Sequence, residues 1–161
     1  RLGKLRAFFS GVYSWQSRTE FAVQIASDRP DIVHVHNLFP LISPSVLGEC
    51  GRARLPLVMT VHNYRLVCPN GLHMTSGNVC EKCVGGREYY CAINRCAGGL
   101  AKSIGYALRN AVARKCRFFD SNVTMYIALT AFQRSRLIDA GVCPSRIAVV
   151  PNMAAASDPS A

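Results

Sequence analysis

Residues Leu57–Val61 form a strand-like, largely apolar run that ends without a spacer in His62-Asn63 (PLVMTVHN from Pro56). No other feature constrains the fold as much. A run that is apolar on both faces must be covered on both sides, which is the situation of a strand in a parallel α/β sheet. In such sheets ligands sit outside the carboxyl ends of the strands, so His62 and Asn63 stand where a site would be built. Asp31–Asn37 (DIVHVHN) repeats the arrangement and closes on His36-Asn37. Two strands ending alike imply one shared site.

Helices are expected between the strands. A helix over about Trp15–Ser27 carries Phe21, Ala22, Ile25 and Ala26 on its apolar side and is stopped by Asp28-Arg29-Pro30. Ser43-Pro44 supplies a cap and a first-turn proline for a helix through about Cys50, with Gly51 near its end. After the strand Leu57–Val61 the chain reads as irregular to about Ala97. A helix follows with Leu100, Ile104, Leu108, Ala111 and Val112 on one face and Lys102, Arg109 and Arg117 on the other. Met125–Leu129 is a further strand, and Thr130–Gln133 is a capping box opening a helix that Gly141 ends. Ile147–Val150 is a last strand, halted by Pro151-Asn152. The expected architecture is therefore α/β, a Rossmann-like parallel sheet covered by helices on both faces, with one irregular insertion.

The 161 residues, half of them apolar, suit one domain with a real core. No apolar stretch reaches the roughly 18 residues of a membrane span. Arg1 at the start and the small-residue tail 153–161 read as cuts in a longer protein. The net charge of +10 is concentrated: between Arg87 and Arg117 seven basic residues face one acid, Glu88, for +6. Such a segment favours anionic partners, namely phosphates, nucleic acid or an acidic lipid surface, or else it is a solvated helix face.

Five of the eight cysteines fall within residues 68–96: Cys68, Cys80, Cys83, Cys91 and Cys96. Cys80-Glu81-Lys82-Cys83 has the spacing at which two thiolates grip one tetrahedral ion. The connection from His62 to Ala97 is far longer than the roughly 15 residues that loops reach without a function or a staple. Zinc, disulfides and unbridged thiols are the three readings of this segment. Cys50, Cys116 and Cys143 are spread elsewhere and read as free thiols.

The ordered set PDIVHVHN, a Ser-Pro-opened helix, PLVMTVHNYRLVCPNG, MYIALTAFQRSRLIDAG and RIAVVPN resembles the N-terminal half of family 4 glycosyltransferases, over about Arg29 to Asn152. That family has the GT-B architecture of two facing Rossmann-like domains. The resemblance implies transfer of a sugar from a nucleotide-sugar, with retention at the anomeric carbon, to a glycan or lipid-linked acceptor in polysaccharide biosynthesis. It makes residues 1–152 a partial acceptor-side domain, with residues 62–97 a cysteine-rich insertion and 153–161 a tail or linker. The family's first strand and its C-terminal donor domain, with paired glutamates, are expected beyond the two ends, so the chain alone is expected to be inactive.

The resemblance also assigns residues. His62 becomes the candidate for a chemical role beside the transferred sugar and the departing phosphate, where an imidazole can donate or accept near neutral pH. Asn63 and Tyr64 become orienting or acceptor-lining groups. His34 and His36 share a face by alternation. A metal pair is disfavoured there because no third ligand is near in sequence; His36 is assigned to the acceptor cleft and His34 to the core. Asn37, with Phe39 and Pro40, would shape the acceptor side. Relatives with the CPNG and CxxC pieces carry a cysteine before the next helix, which implies a structural zinc on Cys68, Cys80, Cys83 and Cys96, with Cys91 spare; no catalytic metal is expected. Two rival readings are a nucleic-acid-binding module built from a zinc knuckle and a basic helix, disfavoured because aromatics are not interleaved with the basic residues, and a noncatalytic interaction domain. The expected setting is the cytoplasm, peripheral to the inner face of a membrane.

Overall fold

The computed structural model describes residues 11–38 and 42–152. Phe39, Pro40 and the tail 153–161 lie outside the described residues. Helix α1, Trp15–Asp28, starts where the Ser14 hydroxyl accepts from the Ser17 N–H at 3.1 Å. It ends where Arg29 turns left-handed (φ 47°) and its N–H closes on the Ile25 carbonyl. Phe21 and Ile25 pack on the core as expected, whereas Ala26 is exposed. The same helix buries Arg18, whose Nε donates to Glu49 Oε1 at 2.6 Å.

Strand β1 is Val33–Val35, shorter than the sequence suggests. Ser43 and Pro44 open a 3-10 turn, Pro44–Val46, that leads into α2, Leu47–Arg52. Strand β2 is Leu57–Val61, and Leu57, Met59, Thr60 and Val61 are all buried, as a central strand covered on both faces requires. The insertion holds a small antiparallel hairpin, β3 Met74–Thr75 with β4 Asn78–Val79, and a short helix α3, Tyr89–Ile93. Helix α4 is Leu100–Lys115, β5 is Met125–Ala128, α5 is Ala131–Asp139 and β6 is Ile147–Val149.

The four long-range strands form one parallel sheet in the order β1-β2-β5-β6, flanked by helices. This is the Rossmann-like arrangement the apolar runs require. Its core gathers Leu47, Leu57, Met59, Val61, Val123, Tyr126, Leu137 and Ile147. Thr130 Oγ1 accepts from the Gln133 N–H at 3.0 Å, while Gln133 Oε1 accepts from the Leu129 N–H, one residue earlier than a standard capping box.

Three expectations need correction. Helix α4 does not bury its leucine stripe: Leu100, Ile104 and Leu108 are exposed, and the helix packs instead through Ser103, Gly105, Ala107, Arg109 and Ala113. Small residues let α4 approach α3 and the insertion closely, and that proximity fixes its rotation. Arg109, expected on the solvated face, is thereby turned inward and is only 7% exposed, and Arg117 falls beyond the end of α4. His34, assigned to the core, is exposed, because β1 is an edge strand of the described sheet.

The insertion is also less irregular than its sequence suggests. Ser76 and Gly77 both have positive φ (48° and 78°), which gives the hairpin the twist-matched two-residue turn. Ion pairs tie the segment down: Arg114 Nε to Glu88 Oε1 at 2.7 Å and Arg136 Nη1 to Glu81 Oε1 at 2.6 Å. No described helix is long and apolar enough to cross a membrane.

Candidate functional site

At the carboxyl ends of β1 and β2 the side chains meet with one constant offset of 26 residues. His34 Nε2 lies 2.8 Å from Thr60 Oγ1, His36 Nδ1 lies 2.8 Å from His62 Nε2, and Asn63 Nδ2 donates to Asn37 Oδ1 at 3.1 Å. Parallel pairing keeps the offset constant: the ladder sets His34 beside Val58, and each side chain here reaches the residue two positions further along the neighbouring segment. Three imidazoles consequently stand in a row, with ring centroids 4.3 Å apart between His34 and His36 and 5.1 Å apart between His36 and His62. In the His36–His62 contact one nitrogen donates and the other accepts, so the bonded pair carries at most one proton beyond neutrality. Both rings are exposed and line the pocket.

Four of the five residues assigned to catalysis or substrate binding, His36, Asn37, His62 and Asn63, line one small, partly open pocket of about 30 Å³. Tyr64 turns away, its ring 4.6 Å from that of His73 and 6.2 Å from that of Phe132. The pocket wall also contains Arg65, Arg109 and Asn110, which the sequence reading did not single out as site residues. Asn110 Nδ2 donates to the Arg65 carbonyl at 2.5 Å and so fastens α4 to the segment after β2. Arg109 has its pKa lowered to about 10, by burial first and by the neighbouring Arg65 guanidinium second. Arg65 lies inside the stretch that carries the resemblance, and Arg109 was not singled out because a charged residue on a helix reads as solvent-facing until its packing is known.

The turn after His62 is fixed by Asn70, which was also missed. Its Oδ1 accepts from the Leu72 N–H at 2.8 Å and from the Cys68 thiol at 3.1 Å, and its Nδ2 donates to the Met74 carbonyl. Gly71 follows at φ +82°, where a Cβ would lie 2.7 Å from Arg65 Cγ. The CPNG piece therefore holds Arg65 against the pocket.

Cys68, Cys83 and Cys91 are buried, and Cys80 and Cys96 are half-buried. Cys83 is pushed up to about 12 by burial and by Cys68, Cys96 and Cys80 around it, while the Cys91 backbone N–H bonds its sulfur. Cys91, assigned as the spare, is not set apart: it is also pushed up to about 12 by burial, and it interacts with Cys96, Cys83 and Cys68 and hydrogen-bonds Cys96. Cys91 lies on α3, which packs against α4 and so delivers it into the cluster. As the side chains stand, no group of three or more His, Cys, Asp or Glu among the described residues is arranged to hold a metal ion. Beside the cluster, His73 is 5% exposed, has no hydrogen-bond partner on either ring nitrogen, and has its pKa lowered chiefly by burial. Glu81 Oε1, 3.9 Å from His73 Nδ1, acts in the opposite sense.

No curated protein and no solved structure matches the chain. The family model described as Glycosyltransferase Family 4 matches residues 3–155, which include both strand-end His-Asn pairs and the whole cysteine-rich insertion. A match over nearly the full chain, joined to a parallel sheet that carries its polar pocket at the carboxyl ends of adjacent strands, places the chain in glycosyltransferase family 4.

Proposed function

We propose that this chain is the acceptor-side part of a retaining glycosyltransferase that moves a sugar from a nucleotide-sugar to a glycan or lipid-linked acceptor, with His62 beside the transferred sugar. The observation that carries the reading is the His36–His62 pair, 2.8 Å apart over the pocket at the sheet's carboxyl edge, in a family 4 chain. In such a transfer the departing phosphate gains charge. A donor held next to it stabilises the transition state more than the ground state. His36 positions His62, and the Asn37–Asn63 bond holds the two strand ends in register.

Donor contacts belong to the facing C-terminal domain on this reading. Residues 1–161 alone should therefore bind common nucleotide-sugars only weakly in calorimetric titration and transfer no sugar. Micromolar binding by this chain would contradict the division of labour. A lipid-linked acceptor at the inner, acidic face of a membrane is supported by the exposed Leu100, Ile104 and Leu108 stripe beside exposed Tyr89 and Ile93. The nucleic-acid reading draws less support, since Arg114 pairs with Glu88, Arg117 pairs with Asp120, and Arg109 is buried.

The cysteine segment is read as a structural zinc module. Soft thiolates suit zinc, and binding would offset the burial that pushes the Cys83 thiol up. Cys68, Cys83 and Cys96 would supply three ligands. Cys80 has the CxxC spacing in its favour for the fourth, and Cys91 has burial and its contact with Cys96. Closing the site requires side-chain rotation from the positions described.

A further inference from the structure

We infer that Thr60 and His34 are positioning residues for His62: Thr60 holds the His34 ring, and that ring packs on His36 and keeps its nitrogen on His62. Thr60 is the one polar residue of β2 and is only 6% exposed. A buried hydroxyl needs a hydrogen-bond partner, and the one described for Thr60 Oγ1 is His34 Nε2, 2.8 Å away. That partner is not its ladder neighbour. Pairing sets His34 beside Val58, so the ring leans forward by two residues to reach the hydroxyl. In this pose it lies against His36, with ring centroids 4.3 Å apart and planes inclined at 39°. His36 leans forward by the same step onto His62, with Nδ1 and Nε2 2.8 Å apart and the two rings stacked at 26°.

The lean is what requires support. All three imidazoles are exposed, and two of them stand on an edge strand of the described sheet, where an unrestrained side chain samples several rotamers. His36 is restrained on one side by its bond to His62 and on the other by the His34 ring, and His34 is anchored through Thr60 to the buried strand β2. A group that acts in a transition state has to be held within about 0.5 Å by such supports. His34 is not among the residues lining the pocket, so it acts through His36. That His62 serves a transferred sugar rests on the reading above, whereas the support of the His36–His62 contact by Thr60 and His34 stands on geometry alone.

The test reads the contact first and turnover second, in full-length protein carrying isotope-labelled histidine. At mildly alkaline pH, one of His36 Nδ1 and His62 Nε2 should show the resonance of a protonated donor and the other that of a bare acceptor. His34→Ala and Thr60→Val should move both nitrogens toward the averaged values of a free imidazole, while Thr60→Ser, which keeps the hydroxyl, should leave them as in the parent. In turnover, His34→Ala should lower kcat about tenfold with KM within about twofold, a smaller loss than the roughly 10²-fold expected for His62→Ala. Thr60→Val should act in the same direction, and Thr60→Ser should restore kcat. Unmoved resonances in folded His34→Ala or Thr60→Val overturn the inference, and so does a kcat loss in Thr60→Val that Thr60→Ser fails to restore. If Thr60→Val does not fold, His34→Ala decides, because His34 is exposed. Resonances that move in a protein that transfers no sugar would sink the transferase reading and spare the positioning; an active protein whose resonances stay put would do the reverse.

Discussion

Replacing His62 by alanine in the full-length protein is expected to lower turnover by roughly 10²-fold or more, the scale of losing one preorganised transition-state donor, while the fold survives. The fold should survive because His62 is exposed and its only described side-chain hydrogen bond is to His36. The loss should fall on kcat rather than on KM alone, since the contact is strongest when charge develops on the leaving phosphate. His36→Ala removes the partner that positions His62, and its effect should be smaller and in the same direction. Turnover of His62→Ala within a few-fold of the parent would return this histidine to the role of a strand-end cap.

Cys83→Ser is expected to have the largest structural effect, because Cys83 interacts with every other cysteine of the insertion. Protein purified without added zinc should carry about one ion per chain if four thiolates make one closed site. Cys83→Ser should lose that ion and open residues 62–97 to proteolysis, leaving the sheet folded on its own apolar core. Structural zinc contributes on the order of 10 kcal/mol in small metal-dependent domains, so loss of a central ligand should be plain. Comparing Cys80→Ser with Cys91→Ser identifies the fourth ligand, since only one of them should release the metal. A metal-free parent whose eight thiols all react once the chain is unfolded would reject the module and leave the ion pairs Glu88–Arg114 and Glu81–Arg136 as its fastening.

The sheet was legible because its central strands, β2 and β5, are short and almost wholly apolar runs. Burial on both sides is the one environment that tolerates Leu57–Val61, and the shared His-Asn endings followed from parallel pairing. The rotation of α4 was not legible. Leu100, Ile104 and Leu108 have the spacing of a buried face, yet the helix packs through small residues that carry no hydrophobic signal. Arg109 was hidden by the same rotation: at that position in a helix, charge predicts solvent, and only the contact of α4 with the segment after β2 turns it inward. His34 was misplaced because alternation states which residues share a face and is silent on which strand is the edge. Cys91 was left as the spare by the resemblance, and its place among the other cysteines follows from α3, a helix too short for its periodicity to be read.

The most direct test of the whole account is donor turnover by the full-length protein, incubated with a panel of nucleotide-sugars and with glycan and lipid-linked acceptor fractions. The account predicts release of nucleoside diphosphate from one donor, dependent on acceptor and on His62, with the anomeric configuration of the donor kept in the product. Folded full-length protein that releases no nucleotide from any donor, or a product of inverted configuration, would contradict it.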